Sequence, residues 1–182
     1  VPRASAAPAE AAKAAASINP FGLDLYRPML ADGTLDPAKG AVFSPTSIAI
    51  ALAMARAGAR GETAAQMDKV MHSAGADTLA EAMNALDRAL ASRSGTFQVY
   101  GQEGSDQEVL LKIANAPFAQ AGMPLEQDYL DALASRYGAG LRLLNYIADP
   151  EGARKVINAW VKRQTAGRIP DLLAEPDVTT LT

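Results

Sequence analysis

A run of apolar residues in the first third of the chain dominates its pattern of hydrophobic and polar positions. Residues 48–55 contain no polar side chain. A surface helix would show polar residues with a period of 3.6, and this run does not. It is also much shorter than the roughly 18 residues that mark a transmembrane helix. The pattern therefore predicts a buried central helix within residues 42–67, around which the rest of the chain is arranged.

The residues that flank this run predict where the central helix begins and ends. Ser44 precedes Pro45, which is typical of an N-cap followed by proline at the first helical position. The serine hydroxyl accepts a hydrogen bond from an unpaired backbone amide, and the proline ring already has a helical φ. Gly58 and Gly61 then predict the end of the helix.

Helical periodicity also occurs in five other stretches. Each of them places apolar residues three or four positions apart, with charged residues on the opposite side, as in helices that pack one face on a core. In the last helix, the predicted inner stripe is Val156, Ile157, Trp160, Val161 and Gln164. The five predicted helices cover residues 18–30, 62–70, 77–93, 124–137 and 150–166.

Alternation with a period of two predicts the strands. A very short strand is expected at residues 41–43 and another at 141–146. Between them lies a strand region, interrupted at residues 101–107, whose alternating residues are Phe97, Val99, Val109, Leu111, Ile113 and Asn115. Pro117 cannot donate to a β-ladder, so the strand must end there or its backbone must face outward.

The two ends of the chain carry less regular patterns. Residues 1–17 are rich in alanine and lack the apolar centre of a signal peptide, so we interpret them as a tether or the start of a helix. Residues 178–182 are rich in strand formers. No closing element follows them, and a sheet that ended there would expose an unpaired edge. We therefore expect the chain to be part of something longer.

Composition narrows the possible functions. Of 182 residues, 49% are hydrophobic, which is enough for a substantial core. The formal net charge of -3 provides no concentrated positive field, so neither nucleic acid nor an anionic membrane is an expected partner. The basic residues of the last helix are interpreted as a solvated face. The chain has no cysteine, which excludes a thiol nucleophile and a thiolate metal site.

The single histidine raises two possible chemistries. Asp68 precedes His72 by four residues, a spacing that can place two metal ligands on one helix face. No third ligand is evident, so we do not expect a metal site. A Ser-His-acid triad would have to use the same histidine, and no nucleophile elbow accompanies it. The chain is therefore not expected to be an enzyme, and no cofactor is predicted.

Three motifs, in this order along the chain, resemble the serpins, a family of serine protease inhibitors. The resemblance extends from about residue 18 to residue 173, with departures at Pro117 and at Asn145-Tyr146. The motifs are FSPxSI with GAxGxTxxQ at residues 43–66, LxIANAxF at residues 111–118, and NxWVxxxTxGRIxDLL at residues 158–173.

This resemblance implies an α+β serpin fold, with three β-sheets and about nine helices when complete. Residues 18–182 would be the N-terminal part of a single serpin domain, incomplete at its C-terminus, and residues 1–17 its tail. The chain would supply helices around the first strands of the large sheet. Its expected partner within the same protein is the remaining C-terminal half.

The resemblance also implies a function. A serpin acts as a suicide substrate: a serine protease, or alternatively a cysteine protease, cleaves an exposed reactive loop and is trapped covalently when the loop inserts into the large sheet. The reactive-site bond would lie beyond Thr182. The alternative is a non-inhibitory relative that acts as a chaperone, carrier or storage protein. A secreted protein is implied, although the chain shows no signal peptide and a cytoplasmic location stays open.

The site residues follow from the same resemblance. Ser44 and Ser47 match the shutter, where hydroxyls at the start of the central helix lie under the sheet, although capping alone also explains Ser44. Structural roles are expected for Asn115, Asn158, Trp160, Thr165 and Gly167. Some serpins respond to heparin through a basic stripe on the helix that matches residues 77–93. Here acidic residues interrupt that segment, so heparin activation is not expected.

Overall fold

The computed structural model describes residues 1–40, 42–98 and 106–180. This part of the chain contains six α-helices and two small β-sheets, followed by a short 3₁₀-helix at Glu175–Asp177. The helices are α1 (Glu10–Ala31), α2 (Pro45–Gly58), α3 (Gly61–Val70), α4 (Ala76–Ala91), α5 (Gln127–Tyr137) and α6 (Pro150–Gln164). The strands are β1 (Gly95–Gln98), β2 (Asp106–Val109), β3 (Phe118–Gln120) and β4 (Arg142–Leu144).

All six predicted helices are present, and their ends differ from the predictions by several residues. The largest difference is at α1, which begins at Glu10 instead of residue 18. Residues 10–17 therefore belong to a helix, the second of the two interpretations for the N-terminal segment. In this extension, Ala14 and Ser17 are buried. The sequence did not indicate this inner face, because alanines occur on all sides of the helix and give no contrast between buried and exposed positions.

Helix α2 packs against α1 and α4 in the main core, and its Met54 packs against Leu133 of α5 in a smaller cluster. A hydrogen bond also joins α5 to α2: the Tyr137 hydroxyl donates to the Ala53 carbonyl oxygen over 3.1 Å. Burial raises the pKa of Tyr137, so this hydroxyl stays protonated. The ten buried residues of the core are Ala14, Ile18, Phe21, Ala49, Ile50, Ala53, Met71, Leu79, Ala82 and Met83.

The approach of α1 to the start of α2 depends on one glycine. A Cβ atom at Gly22 would lie 2.9 Å from Cγ of Pro45, which is closer than real Cβ contacts. The proline that starts α2 therefore fits against α1 only because residue 22 has no side chain.

The prediction that the central helix is buried holds on one side only. Ala49, Ile50, Ala53 and Met54 are buried, whereas the apolar residues Ala51 and Ala55 are exposed. The run 48–55 is apolar on all sides, but the described residues cover only the side that faces α1, α4 and α5. The other side lines a cleft that is described below.

The two sheets differ from the predicted strand region. β3 and β4 are parallel, with Phe118 opposite Arg142 and Gln120 opposite Leu144. β1 and β2 form an exposed antiparallel hairpin. Residues 110–117, predicted as strand, have no strand structure, since no described strand pairs with them. Val99 and residues 101–105 of the predicted region lie outside the described residues.

Three smaller predictions are also corrected. Pro117 lies directly before β3 and not inside a strand. Its carbonyl oxygen accepts a hydrogen bond from the Arg142 amide at 3.1 Å, a contact that does not require a backbone N–H at residue 117. Val42 and Phe43 are not in a strand, and Ala41 lies outside the described residues. Residues 178–180 are not a strand either. Val178 is buried among Tyr146, Ala153 and neighbouring apolar side chains. Residues 181–182 are outside the described part.

The inner face of α6 is rotated from its predicted position. Ala153, Asn158, Trp160 and Val161 are buried. Val156 is 47% exposed, and Gln164 is exposed too, contrary to the predicted stripe. In the described part of the chain, no helix combines the length and apolarity that crossing a membrane requires.

An ion pair joins the end of α2 to the end of α3. Arg56 Nε donates to Asp68 Oδ1 over 2.8 Å, and Arg56 Nη2 donates to Asp68 Oδ2 over 2.7 Å. Ser73 Oγ also donates to Asp68 Oδ1. The Arg56 guanidinium holds the pKa of Asp68 below its ordinary value, and the Ser73 hydroxyl adds to this effect.

We predict that Asp68→Asn lowers the free energy of unfolding by about 1.5 to 3 kcal/mol near neutral pH, the range for hydrogen bonds to charged groups. Because the folded-state pKa of Asp68 is lowered, the ion pair stabilises the fold above the unfolded pKa of about 3.9. This stabilisation is lost as the pH falls through the lower, folded-state pKa. The measurement is urea unfolding at several pH values. Asp36→Asn is the matched control: Asp36 lies in an exposed pair with Lys39, so its loss should cost less than about 1 kcal/mol. Equal losses in both variants at every pH would contradict the prediction.

Candidate functional site

Ser44 caps the first turn of α2, as its position before Pro45 predicts. Its backbone is extended, with φ of -114° and ψ of 96°. The Ser47 backbone amide donates to the Ser44 Oγ atom over 3.2 Å. Ser44 is exposed, so capping accounts for all of its described contacts.

Ser47 makes a different contact, which reaches across the chain to Asn115. The Ser47 hydroxyl donates to Asn115 Oδ1 over 3.4 Å, and Asn115 Nδ2 donates to the Ser47 carbonyl oxygen over 3.1 Å. Both residues are half-buried. This pair of hydrogen bonds joins the first turn of α2 to residues 110–117, which pair with none of the strands that the structure describes.

An open cleft of about 930 Å³ lies between α2 and α6, next to residues 111–118. Its surface is mainly apolar. The exposed alanines of α2 form part of one wall, and the opposite wall comes from α6 and the residues that follow it. Among the lining residues are Ala51, Ala55, Ile113, Phe118, Trp160 and Leu172.

Trp160 holds α6 against the sheet of β3 and β4. Its ring meets the Phe118 ring edge-on, with 5.6 Å between centroids and 81° between planes. The Arg142 guanidinium carbon lies 5.8 Å from the centre of the same ring, a distance suited to a cation-π contact. Arg142 is not among the predicted site residues, because no local pattern relates a strand arginine to a tryptophan on the next helix.

Asn158 fastens the segment after α6 back onto the helix. It is 5% exposed. Its Oδ1 accepts hydrogen bonds from the amides of Leu172 and Leu173 over 3.0 and 2.9 Å, and its Nδ2 donates to the Leu173 carbonyl oxygen over 2.9 Å. Arg154 Nη1 donates to the same carbonyl. The side chain of Asn158 thus replaces the backbone partners that this segment lacks.

Thr165 and Gly167 shape the turn that leaves α6. Thr165 Oγ1 donates to the Val161 carbonyl oxygen over 2.9 Å and accepts from the Ile169 amide over 3.1 Å. Gly167 has a φ of +79°, a left-handed conformation that glycine adopts without a steric penalty. Its amide donates to the Lys162 carbonyl oxygen, which closes the helix end.

The predicted site residues therefore fall into two groups. Five of them line the same cleft: Ser44, Ser47, Asn115, Trp160 and Thr165. Asn158 and Gly167 lie outside it and instead order the turn and the segment after α6. Whether Ser44 and Ser47 act as a shutter stays a prediction.

The histidine does not pair with the aspartate four residues before it. His72 Nε2 lies 2.8 Å from Asp24 Oδ2 on α1, while both carboxylate oxygens of Asp68 bind Arg56. Within residues 1–40, 42–98 and 106–180, no group of three or more His, Cys, Asp or Glu side chains could hold a metal ion.

Comparison with known families and structures identifies the fold. The family model described as "Serpin (serine protease inhibitor)" matches residues 16–182. The chain belongs to the serpin family. The helix-rich arrangement with few strands agrees with an N-terminal portion of the serpin fold, and the family is one of inhibitors.

Curated relatives of this serpin chain include leukocyte elastase inhibitors. The protein from Bos taurus is 36% identical over 162 residues, which cover 89% of this chain and 39% of that protein. The protein from Sus scrofa is 35% identical with the same coverage. Serpin B10 from Plecturocebus moloch is 33% identical and is covered to 44%. The chain thus spans about two fifths of the length of these relatives.

Solved serpin structures agree with this fold. Lamprey angiotensinogen with a cleaved reaction loop is 28% identical and has a TM-score of 0.70, over 94% of this chain and 45% of that one. Arabidopsis AtSerpin1 in its native stressed conformation has a TM-score of 0.74 over 91% of this chain and 40% of that one. Its identity is 20%, so it supports the fold alone.

We predict that Ser47→Leu destabilises the protein by about 1 to 3 kcal/mol through overpacking against Asn115. Ser47→Ala is the matched variant: it removes only the hydroxyl bond to Asn115 and should cost about 1 kcal/mol. Thermal and urea unfolding measure both values. The overpacking explanation is wrong if Ser47→Leu costs no more than Ser47→Ala.

Asn158→Leu should free the segment that follows α6. Leucine is similar in size to asparagine but cannot form the three hydrogen bonds of the Asn158 side chain. We therefore expect the free energy of unfolding to fall by about 2 to 3 kcal/mol and the amides of Leu172 and Leu173 to exchange faster. Hydrogen exchange followed by NMR measures this locally. Arg163→Ala, at an exposed position on the same helix, should leave both amides unchanged. Unchanged exchange in Asn158→Leu would show that the asparagine does not hold the segment.

Proposed function

We propose that this chain is the N-terminal part of an inhibitory serpin that traps a serine protease covalently as a suicide substrate. The observation that carries the proposal is that β3 has a single described strand partner and that its first residue, Phe118, lines the cleft between α2 and α6. Among the described strands, β3 pairs with β4 alone. A free strand edge beside an apolar cleft is suited to accept further strands.

The side of α2 that faces the cleft supports strand movement. Ala51 and Ala55 are small and apolar, so a strand that slides over them meets neither a large side chain nor a hydrogen-bonding group. The opposite side of α2 is fixed by the core contacts with α1 and α4. One side of the helix can therefore stay rigid while the strands on the other side rearrange.

The hydrogen bonds between Ser47 and Asn115 are suited to a hinge support. They are few, and the longer of them measures 3.4 Å, so their net contribution is on the order of 1 kcal/mol each. Such bonds can fix the position of residues 110–117 in one state and exchange partners in another. On this proposal, Ser47 and Asn115 are part of the shutter, and Ser44 serves mainly as the cap of α2.

The C-terminal half of the same protein is the proposed source of the missing parts. It would supply the reactive loop, the scissile bond and the strands that fill the cleft. The names of the leukocyte elastase inhibitors make an elastase-type serine protease the first target to test. A cysteine protease is the alternative target.

Other partners are not part of the proposal. In α4, Asp77, Glu81 and Asp87 accompany the basic residues, and Asp87 already binds Arg3, so heparin activation is not expected. One structural neighbour, native protease nexin-1, was solved with heparin. At 24% identity, that neighbour supports only the fold of this chain. The extracellular location implied by the resemblance stays a prediction.

The decisive test mixes the full-length protein with an elastase-type protease and follows the products on a denaturing gel. We predict a covalent complex that survives boiling in SDS, together with loss of protease activity. A matched protease whose catalytic serine is replaced by alanine should form no such complex. Cleavage without a trapped complex would contradict inhibition and would favour the non-inhibitory alternative, a chaperone, carrier or storage protein.

A further inference from the structure

The first nine residues, here called the N-terminal arm, contact α4 and α5 through Arg3 and Ala4. Arg3 supplies the side-chain contacts. Its Nε donates to Asn84 Oδ1 over 2.9 Å, and its Nη2 donates to Asp87 Oδ2 over 2.6 Å. Both acceptors lie on α4, and the arginine is only 28% exposed in its side chain. The alanine-rich composition of the arm gave no indication of this contact.

The backbone of the arm is bound as well. The Ala4 amide donates to the Ser135 carbonyl oxygen of α5 over 2.7 Å. The Ala4 carbonyl oxygen accepts from Asn84 Nδ2 over 3.1 Å. Asn84 therefore contacts both the side chain of residue 3 and the backbone of residue 4. It is 1% exposed, and both ends of its amide group are paired with the arm, as is expected for a buried polar group.

A glycine shapes the surface on which the arginine lies. Gly138 follows α5 with a φ of +61°, and a Cβ atom there would lie 3.2 Å from Arg3 Cδ and 3.3 Å from Nη1. The absence of a side chain lets the flat guanidinium group and its stem approach the backbone. Asn84, Asp87, the Ser135 carbonyl and Gly138 together recognise an arginine and the peptide bond that follows it.

Arg3 also lines a smaller cavity of about 290 Å³, which adjoins the cleft between α2 and α6 and shares residues 113–116 and Trp160 with it. This cavity extends from the arm to residues 113–116, which include the partner of Ser47. The other lining residues come from α2, α4, the end of α5 and α6. They include Met54, Met83, Tyr137, Gly138, Trp160 and Gln164.

We propose that α4 and α5 form a binding site for an arginine-bearing extended segment, and that the N-terminal arm occupies this site as a latch that closes the cavity beneath residues 113–116. The ligand class follows from the contacts: one guanidinium group, one backbone amide and one backbone carbonyl. Release of the arm opens the cavity. The residues that bind the arm are Asn84, Asp87, Ser135 and Gly138, none of which belongs to the proposed shutter, so this proposal does not depend on the proposed function.

A spin label on the arm tests the latch directly. The chain contains no cysteine and Ser5 is exposed, so Ser5→Cys provides a unique attachment point. In the 182-residue chain we expect a restricted label. Adding Asp87→Asn should raise the ratio of mobile to restricted label about tenfold, the change that corresponds to one weakened charge-assisted hydrogen bond. Arg3→Gln removes both guanidinium hydrogen bonds and should raise the ratio at least as much.

Arg27→Gln is the matched control, because Arg27 forms an exposed ion pair with Asp24 within α1. It should leave the label restricted. A label that is already mobile in the parent chain, or one whose mobility Arg3→Gln does not change, would overturn the latch. Neither Arg3 nor Asp87 belongs to the main core, and circular dichroism verifies that each variant keeps its helices.

The single tryptophan tests whether the arm closes the cavity. Trp160 lines the same cavity as Arg3 and is the only tryptophan in the chain. Deleting residues 1–6, which precede α1, should raise the quenching of Trp160 fluorescence by acrylamide, and Arg3→Gln should raise it in the same direction. Unchanged quenching in both variants would show that the arm does not close the cavity.

Discussion

The structure depends on covering a helix that has no polar face. Residues 48–55 of α2 are apolar on every side, so any part of this helix left uncovered keeps apolar surface in water, at about 25 cal/mol per Å². Helices α1, α4 and α5 cover one side with tightly packed side chains. The other side borders the cleft towards α6. The two sides of α2 thus have different mechanical properties.

The polar contacts follow the same division. Away from the cleft, the half-buried Arg56–Asp68 ion pair joins the end of α2 to α3, and the hydroxyl of Tyr137 joins the end of α5 to Ala53 of α2. On the open side, residues 110–117 are tied to α2 only through Ser47 and Asn115 among the hydrogen bonds described above. This asymmetry is what a protein needs if strands above α2 are to move while its core stays intact.

The features predicted correctly from the sequence are those that local physics determines. Helices were found because their periodicity is local, and the Ser44 cap was found because a capping hydroxyl acts within three residues. The strand at 110–117 was predicted wrongly because a strand requires a partner, and alternation alone cannot supply one. The rotated face of α6, with Val156 exposed, depends on where β3 and β4 lie, which no single helix pattern contains.

The candidate site divides in the same way. The resemblance assigned Ser47 to the shutter and gave Asn115 a structural role, and the structure joins the two residues by two hydrogen bonds across 68 positions of the chain. Spacing alone could not have paired them. Arg3 and Asn84 were missed entirely, since an arginine in an alanine-rich segment and an asparagine inside an amphipathic helix both resemble ordinary surface residues.

A double-mutant cycle between Ser47 and Asn115 tests the central claim most directly, because it isolates the contact between α2 and residues 110–117. The measurements are the free energies of unfolding of the parent, Ser47→Ala, Asn115→Ala and the double variant. We predict a coupling energy of about 0.5 to 1.5 kcal/mol, in the range for residues in direct hydrogen-bonded contact. Additive effects of the two substitutions would contradict the claim that this pair ties residues 110–117 to the central helix.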